Sequence, residues 1–137
     1  MAMAARTACA AAGLAAGACA SPPVDGGARA NPPEAPTAVV EMTQTIRFSP
    51  DTLRIGAGQT VEWSNVSVAI GHTVTALPGR ASDDAHVSLP RGAAPFDSGN
   101  IPPGGTWRRR FDVPGTYVYY CTPHELAGMV GVIVVAP

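Results

Sequence analysis

The sequence predicts an all-β domain, a Greek-key β-sandwich or barrel of about seven or eight strands. Short segments alternate between apolar and polar residues with a period of two, as strands with one buried face do. Turn-forming residues separate these segments, and the 137 residues include 15 Gly and 14 Pro, a Pro content that argues against a helical bundle. No segment carries an apolar stripe with the 3.6-residue period of a helix.

The predicted strands follow one another from about residue 38 to the C-terminus. Within one of them, Val61, Trp63 and Asn65 share a face; in a later one, Tyr119 and Cys121 do. The segments with strand character, each bounded by turn-forming residues, are 42–48, 53–55, 60–65, 72–77, 107–111, 117–121 and 129–135.

Two features fit this pattern less well. Arg109 lies on the same predicted face as Trp107, where a core residue is expected. Either it lies at the end of the barrel and extends its head group to solvent, or the predicted register is wrong there. Residues 78–105 are too long for a bare connection, so we expect Val87 and Leu89 to form part of an extra edge strand.

Composition excludes several classes of function. The chain length allows one domain of ordinary size and argues against a multidomain enzyme. Hydrophobic residues make up 46% of the chain, enough to form a core. The formal net charge is −1, without the basic stripe that nucleic-acid binding requires, so we expect no nucleic-acid partner.

The first 19 residues have the composition of a secretory signal, with an Ala-rich stretch after one positive charge. Ala16–Cys19 resembles a bacterial lipoprotein box, although the usual Leu three residues before the Cys is Ala here. We favour this route, in which Cys19 is lipidated, over ordinary cleavage after Ala18 or Ala20. Both routes predict an exported protein, in the periplasm or on the outer face of a membrane.

Residues 20–37 form a Pro-rich segment with few apolar side chains, which predicts an extended, disordered linker. It would serve as a tether between a membrane anchor and the domain, or it is a tail without a role. The folded domain is predicted to span 38–137.

The three cysteines, at positions 9, 19 and 121, form no CxxC pair and leave Cys121 alone in the domain. A lone cysteine is buried, reactive or a metal ligand. Cys121, His124 and Met129 place a thiolate, an imidazole and a thioether within nine residues, between two predicted strands. His72 supplies a second imidazole from far upstream. This soft donor set suits copper, with Met129 as the weak axial ligand, better than zinc, which prefers four strong ligands.

Each of these residues has an ordinary structural alternative. Alone, Cys121 or Met129 would more often be a core residue, and a single His would more often form hydrogen bonds. Their combination and spacing favour a metal site. The third histidine, His86, is interpreted as a polar loop residue, and the glycosylation sequon that begins at Asn65 is given little weight.

The pattern C-x2-H-x4-M from Cys121 to Met129, with the upstream His72, resembles the cupredoxins and specifically the plastocyanin-like group that includes amicyanins and halocyanins. The resemblance covers roughly 38–137 and implies that His72, Cys121, His124 and Met129 bind one type 1 copper. Thr73 stands where plant plastocyanins carry Asn, so a hydroxyl would make the hydrogen bond that ties the two ligand loops together. Further segments that resemble the family are 48–50, 58–65, 72–75, 96–99 and 115–121.

A copper ion with all its protein ligands committed, in a rigid β-scaffold, favours one-electron transfer over substrate chemistry. We therefore predict a blue copper electron-transfer protein that cycles between Cu(I) and Cu(II), not an enzyme. Its expected partners are redox proteins such as a cytochrome, an oxidase or a reductase, and we expect a monomer. The alternatives are a copper storage or delivery protein, or a type 1 copper accessory to a copper oxidoreductase. A copper nitrite reductase or multicopper oxidase would need more His residues and a second such domain.

Two routes for the electron are predicted. His124 should reach the surface within a small apolar patch formed with Pro123, Leu126 and Ala127, which suits a short-lived encounter. Tyr120, on the opposite face of its strand from Cys121, offers a second route. We favour the His124 route because its path is shorter.

Overall fold

The computed structural model describes residues 35–137. The predicted signal segment, with Cys19, and all but the last three residues of the predicted linker 20–37 lie outside the described residues. No helix within 35–137 is long and apolar enough to cross a membrane.

Within residues 35–137, nine strands form two sheets, which confirms the prediction of an all-β sandwich. The strands are β1 (Ala38–Met42), β2 (Phe48–Ser49), β3 (Thr52–Gly56), β4 (Gln59–Asn65), β5 (Thr75–Ala76), β6 (Phe96–Asp97), β7 (Thr106–Phe111), β8 (Gly115–Tyr120) and β9 (Val130–Ala136). The first sheet has the order β2-β1-β4-β7 and the second β3-β9-β8-β5-β6. β1 is parallel to β4 and β3 is parallel to β9, whereas the other pairs are antiparallel.

The core lies between the sheets and is centred on aromatic side chains. The alternating burial of β4 points Val61, Trp63 and Asn65 inward, as predicted. The ring of Trp63 lies 5.4–6.1 Å from those of Trp107, Phe111 and Tyr119, and its Nε1–H donates to the Tyr119 hydroxyl over 3.0 Å. Offset and edge-to-face packing of this kind stabilises the interior beyond simple burial.

Gly131 on β9 is required by this aromatic packing. A Cβ atom at this position would overlap the Tyr119 ring. Residues 132–135 of β9 are β-branched and alternate between half-buried and buried positions, the pattern of a strand with one face in the core. The Tyr119 ring therefore fills the space that a side chain at position 131 would occupy.

The predicted continuous strand over 42–48 is wrong. β1 ends at Met42, and β2 pairs back against it antiparallel after a tight turn. The Thr43 N–H donates to the Arg47 carbonyl over 2.9 Å, and Ile46 adopts φ 62°. A β-branched residue in this left-handed region is unusual, which is why the alternating pattern concealed the turn.

The expected edge strand at Val87 and Leu89 is also not formed as predicted. These two residues are half-buried against the core, but only Ser88 between them bridges to β8, at Val118. A short 3₁₀-helix, Asp84–His86, precedes them. The extra strand of this region is β6, which pairs with β5.

Arg109 does lie on the inward face of β7, so the predicted register is correct there. Its guanidinium stacks 4.3 Å from the centre of the Phe96 ring, and its Nη2 donates to the Ala94 carbonyl over 3.0 Å. The head group is therefore held by aromatic rings and a backbone carbonyl, a contact that was not predicted from the sequence.

Candidate metal centre

The structure brings three of the four predicted ligands together. The ligand atoms of His72, Cys121 and His124 all lie within 4.8 Å of one another. The Cys121 Sγ is 3.3 Å from Nδ1 of His124 and 3.7 Å from Nδ1 of His72. Both imidazoles thus present the same nitrogen to the sulfur. His86 is not part of this group.

The chain between Cys121 and Met129 is a short 3₁₀-helix, Thr122–Ala127, which we call the ligand helix. It starts directly after β8 and ends at Gly128, whose φ of 81° is the left-handed conformation that glycine tolerates best. The Cys121 N–H donates to the Met129 carbonyl and the Met129 N–H to the His124 carbonyl, over 3.0 and 3.2 Å. These bonds close the segment into a loop.

Met129, the fourth predicted ligand, follows the ligand helix and is 1% exposed. It belongs to the same buried cluster as Cys121, and the two residues are joined through their backbones. Its thioether is therefore held in the interior next to the chain that carries the other ligands. That Met129 binds the metal stays a prediction.

His72 is fully buried, but it does not open a strand as predicted; it forms a single bridge to Ile101 ahead of β5. Its Nε2 lies 3.2 Å from the Thr43 carbonyl. A carbonyl only accepts, so this contact assigns the ring hydrogen to Nε2 and leaves the Nδ1 lone pair free to bind a metal. Burial, and next the neighbouring His124, lowers the pKa of His72, while the Thr43 hydrogen bond opposes this. The neutral, metal-binding form is favoured.

Thr73 ties the two ligand segments together, as the comparison with Asn at this position predicted. Its hydroxyl accepts from the Thr122 N–H over 2.8 Å, and its own N–H donates to the Cys121 Sγ over 3.3 Å. Burial raises the pKa of the Cys121 thiol, and the hydrogen bonds from Thr73 work against that rise. A metal that binds here must displace the thiol proton.

Asn65 is a functional residue that the sequence did not reveal. It is 1% exposed, and its Nδ2 donates to the carbonyls of Ile70 and Ile101 over 2.8 and 2.9 Å. Its Oδ1 accepts from the Ser67 N–H and hydroxyl. Asn65 thus organises the connection that leads to His72, and its burial leaves no access for glycosylation in the folded protein. The sequence feature that could have revealed this role is a polar residue on the same inward strand face as Trp63.

Glu125 and His86 form a second unpredicted contact. Glu125, in the ligand helix, is 4% exposed, and its Oε1 lies 3.0 Å from Nδ1 of His86. The same oxygen accepts from the N–H groups of Ser82 and Asp83. Burial raises the pKa of Glu125, but the hydrogen bonds from Ser82, His86 and Asp83 outweigh it and hold the pKa below its usual value. No sequence pattern linked these segments.

The donor set fits a copper ion. Two imidazole nitrogens and a buried thiol sulfur converge at one point, and Met129 is buried beside them. Thiolate and imidazole together suit a metal that must be held in both the Cu(I) and Cu(II) states. A β-sandwich that carries this His-Cys-His group next to a methionine defines the class of blue copper proteins.

Comparison with known sequences agrees. Residues 36–136 match the family described as copper binding proteins, plastocyanin/azurin family, and the chain belongs to that family. It is 32% identical over 112 residues to a plastocyanin of a Synechococcus strain, a match covering 74% of each chain. It is 32% identical over 89 residues to a halocyanin of Natronomonas pharaonis, covering 64% of this chain and 47% of that one.

A chloroplastic plastocyanin of Tetradesmus obliquus is 34% identical over 92 residues, or 64% of this chain. The match spans 57% of that relative's length.

Solved structures give the same result. A reduced Cu(I) form of an amicyanin variant superposes with a TM-score of 0.57 at 29% identity, covering 74% of this chain and 84% of the amicyanin. A purple cupredoxin from Nitrosopumilus maritimus reaches 0.57 at 24% identity, covering 72% and 99%, which supports the fold alone. The cupredoxin fold predicted from the sequence is thereby confirmed.

Proposed function

We propose that this protein carries single electrons on one type 1 copper held by His72, Cys121, His124 and Met129. One observation carries the proposal: a fully buried Cys121 thiol lies with two imidazole nitrogens inside 4.8 Å, on connections joined by hydrogen bonds from Thr43 and Thr73. Membership of a copper-binding family identifies the metal.

The surrounding residues hold the donor atoms in one arrangement. The Thr43 carbonyl orients His72, and the Thr73 N–H and hydroxyl fix Cys121 and the start of the ligand helix. When bound, copper supplies a one-electron couple between Cu(I) and Cu(II). Because the ligands are held by the scaffold, they need little movement between the two states, which keeps the barrier to electron transfer low. Storage or delivery is disfavoured, since His72 and Cys121 are both fully buried.

Addition of Cu(II) to the purified protein tests this proposal. The oxidised protein should be intensely blue, with one copper per chain, through thiolate-to-copper charge transfer. Cys121→Ser should lose the colour completely while the far-UV circular dichroism stays that of a β-protein. Met129→Gln should keep the copper but lower the reduction potential, because an oxygen donor favours Cu(II). A colourless wild-type protein, or a blue Cys121→Ser variant, would exclude the proposal.

The surface next to His124 supports electron exchange through this residue. Leu126, in the ligand helix, is 88% exposed, and Pro123 and Ala127 are exposed beside it. His124 itself is half-buried. Tyr120, the alternative port, is only 1% exposed. An apolar surface with a ligand at its edge suits brief contacts with a redox protein.

Electron self-exchange between oxidised and reduced copies, measured by NMR line broadening, tests this port. Leu126→Glu should slow self-exchange through repulsion between the new carboxylates, while the blue spectrum stays unchanged. Val39→Glu is a matched control, because Val39 is a partly exposed apolar residue on β1. If Leu126→Glu exchanges like wild type and Tyr120→Phe is slow, Tyr120 is the port.

The N-terminal organisation is proposed on the sequence alone. Residues 1–19 would direct export, Cys19 would carry a lipid, and residues 20–37 would link the anchor to the domain at 38–137. Several acyl chains on one residue give stable anchoring, whereas a single chain does not. Mass spectrometry of the mature N-terminus decides between the routes. A first residue that is an unlipidated Cys19, or that is Ala20 or Ser21, would exclude the lipid anchor.

A further inference from the structure

Glu125 is a buried carboxylate that the metal centre itself does not use. It lies between His124 and Leu126 in the ligand helix and is 4% exposed, while both neighbours are more accessible. It is not a member of the His72–Cys121–His124 group. Burial of a carboxylate is costly unless hydrogen bonds compensate it, so its presence in this short helix requires a reason.

One oxygen of Glu125 accepts every hydrogen bond that this side chain makes within the described chain. Its Oε1 accepts from the Ser82 N–H over 2.7 Å, from the Asp83 N–H over 3.1 Å and from Nδ1 of His86 over 3.0 Å. An ionised carboxylate only accepts, so the last contact assigns a hydrogen to Nδ1 of His86. Three donors on one charged acceptor form a strong, directional connection.

The donors belong to a segment that is fixed in turn to β8. The Asp83 side chain caps the 3₁₀-helix Asp84–His86 by accepting from the Ala85 N–H over 2.8 Å. Two residues later, Ser88 exchanges backbone hydrogen bonds of 3.1 and 2.9 Å with Val118. β8 is the strand that leads to Cys121, so Glu125 connects the ligand helix to the strand that positions the thiol.

We propose that Glu125 is a positioning residue whose carboxylate holds the ligand helix on segment 82–88 and so fixes the His124 ring relative to the Cys121 sulfur. The inference depends on the proposed function only for the identity of the metal that His124 and Cys121 would bind. Segment 82–88 then acts as an external brace for the most exposed of the ligands.

The local geometry explains why such a brace is needed. His124 is half-buried, whereas His72 and Cys121 are fully buried and held by contacts on several sides. The ligand helix is a 3₁₀-helix, whose hydrogen bonds have poorer geometry than those of an α-helix. Its ends are tied at Cys121 and Met129, and Glu125 provides a tie in between.

Amide hydrogen exchange in the metal-free protein tests the brace without copper. Glu125→Ala should accelerate exchange of the Ser82 and Asp83 amides and of the His124 amide at least tenfold, while core amides on β8 and β9 stay protected. Glu125→Gln keeps an accepting oxygen of the same shape and should restore most of the protection. Glu62→Ala is the matched control, since Glu62 pairs with Arg108 in the first sheet.

The copper-loaded protein provides a second readout. Glu125→Ala should release Cu(II) to a chelator about 10- to 100-fold faster, as loss of a residue that supports a ligand typically does. The electron paramagnetic resonance spectrum should change its copper hyperfine splitting, and Glu125→Gln should stay close to wild type. Should Glu125→Ala unfold, His86→Ala, which removes one donor of three, gives a smaller effect in the same direction.

Two results would overturn the inference. If Glu125→Ala or, in its place, His86→Ala leaves both the amide exchange and the copper hyperfine splitting unchanged, Glu125 does not position His124. If Glu125→Gln is as impaired as Glu125→Ala, an oxygen that accepts the three hydrogen bonds is not what holds the ligand helix, and the brace is wrong. A wild-type protein that binds no copper would refute the proposed function instead, and the exchange measurement would still decide on the brace.

Discussion

The core around Trp63 and the connections that carry the metal ligands are stabilised in different ways. The core is formed mainly by aromatic and aliphatic side chains from regular strands, with a buried side-chain hydrogen bond between Trp63 and Tyr119. The connections after β4 and β8 instead depend on hydrogen bonds between side chains and distant backbone groups. All buried polar residues of the described chain lie in or next to these connections: Asn65, Ser67, His72, Thr75 and Glu125.

This difference separates stability from function. A cavity in the strand core costs unfolding free energy, but the core constrains the metal-donor atoms only through the ends of its strands. The ligand connections contribute less apolar burial, yet each of their hydrogen bonds determines where a donor atom lies. Substitutions in the core should therefore change the free energy of unfolding, and substitutions in the connections should mainly change the spectrum of the copper site.

The largest effect on stability is expected from Phe111→Ala. Phe111 is 1% exposed and packs 4.9 Å from the Tyr117 ring and 6.1 Å from the Trp63 ring. The cavity should cost about 3–5 kcal/mol of unfolding free energy, measured by urea denaturation, and the folded fraction should keep the blue spectrum. A Phe111→Ala variant with a shifted spectrum and unchanged stability would contradict this separation of stability from function.

Asn65→Ala should affect both properties. It removes one of the two donors to each of the Ile70 and Ile101 carbonyls, which also accept from the Ser67 hydroxyl and the His72 N–H. It also removes the Asn65 Oδ1 that accepts from the buried Ser67 N–H, and a buried polar group without a partner costs about 1–3 kcal/mol. Ile101 bridges to His72, so the charge-transfer band should also shift. The exposed Asn100 provides the control, because Asn100→Ala should change neither property. An unshifted band would show that Asn65 serves stability alone.

In the metal-free protein, acid should lower stability through the ligand connections and alkali should lower it through the core. Burial lowers the pKa of His72, so the folded state resists its protonation and stability should fall as pH drops below about 6.5. Burial raises the pKa of Tyr119, so stability should fall as pH rises above about 10. Urea midpoints across this range measure both effects. Equal stability at pH 7 and pH 5 would contradict the acid branch.

The smallest effect is expected from Thr73→Val, which removes the acceptor of the Thr122 N–H. The Thr73 hydroxyl also contacts the hydroxyls of Thr75 and Thr122, but those two hydroxyls keep each other as partners. The net loss at this partly exposed site should therefore be about 1 kcal/mol. The copper hyperfine splitting should change more clearly than the stability does, because the Thr73 N–H also donates to the Cys121 sulfur. Thr73→Ser keeps the hydroxyl and should behave like wild type; failure of this rescue would assign the effect to packing.

Much of the fold could be predicted because strand periodicity reports directly which side chains face the core. Residues 60–65 alternate in sequence and in burial, and the mostly β-branched run at 129–135 alternates in burial. The prediction failed over 42–48, where an alternating pattern continues through a tight turn at Ile46, and around Val87, where a single bridge replaces a strand. In both places tertiary contacts override the local preference.

The sequence by itself determined the all-β class, the inward face of the strands and the donor types in Cys121, His124, Met129 and His72, because these depend on spacing along the chain. Tertiary structure alone decided which nitrogen of His72 faces the sulfur, how Asn65 organises the preceding connection and that Glu125 contacts His86. Those contacts join residues up to 49 positions apart. Hydrogen bonds between distant segments leave no periodic pattern in the sequence, since their geometry exists only once both sheets have packed.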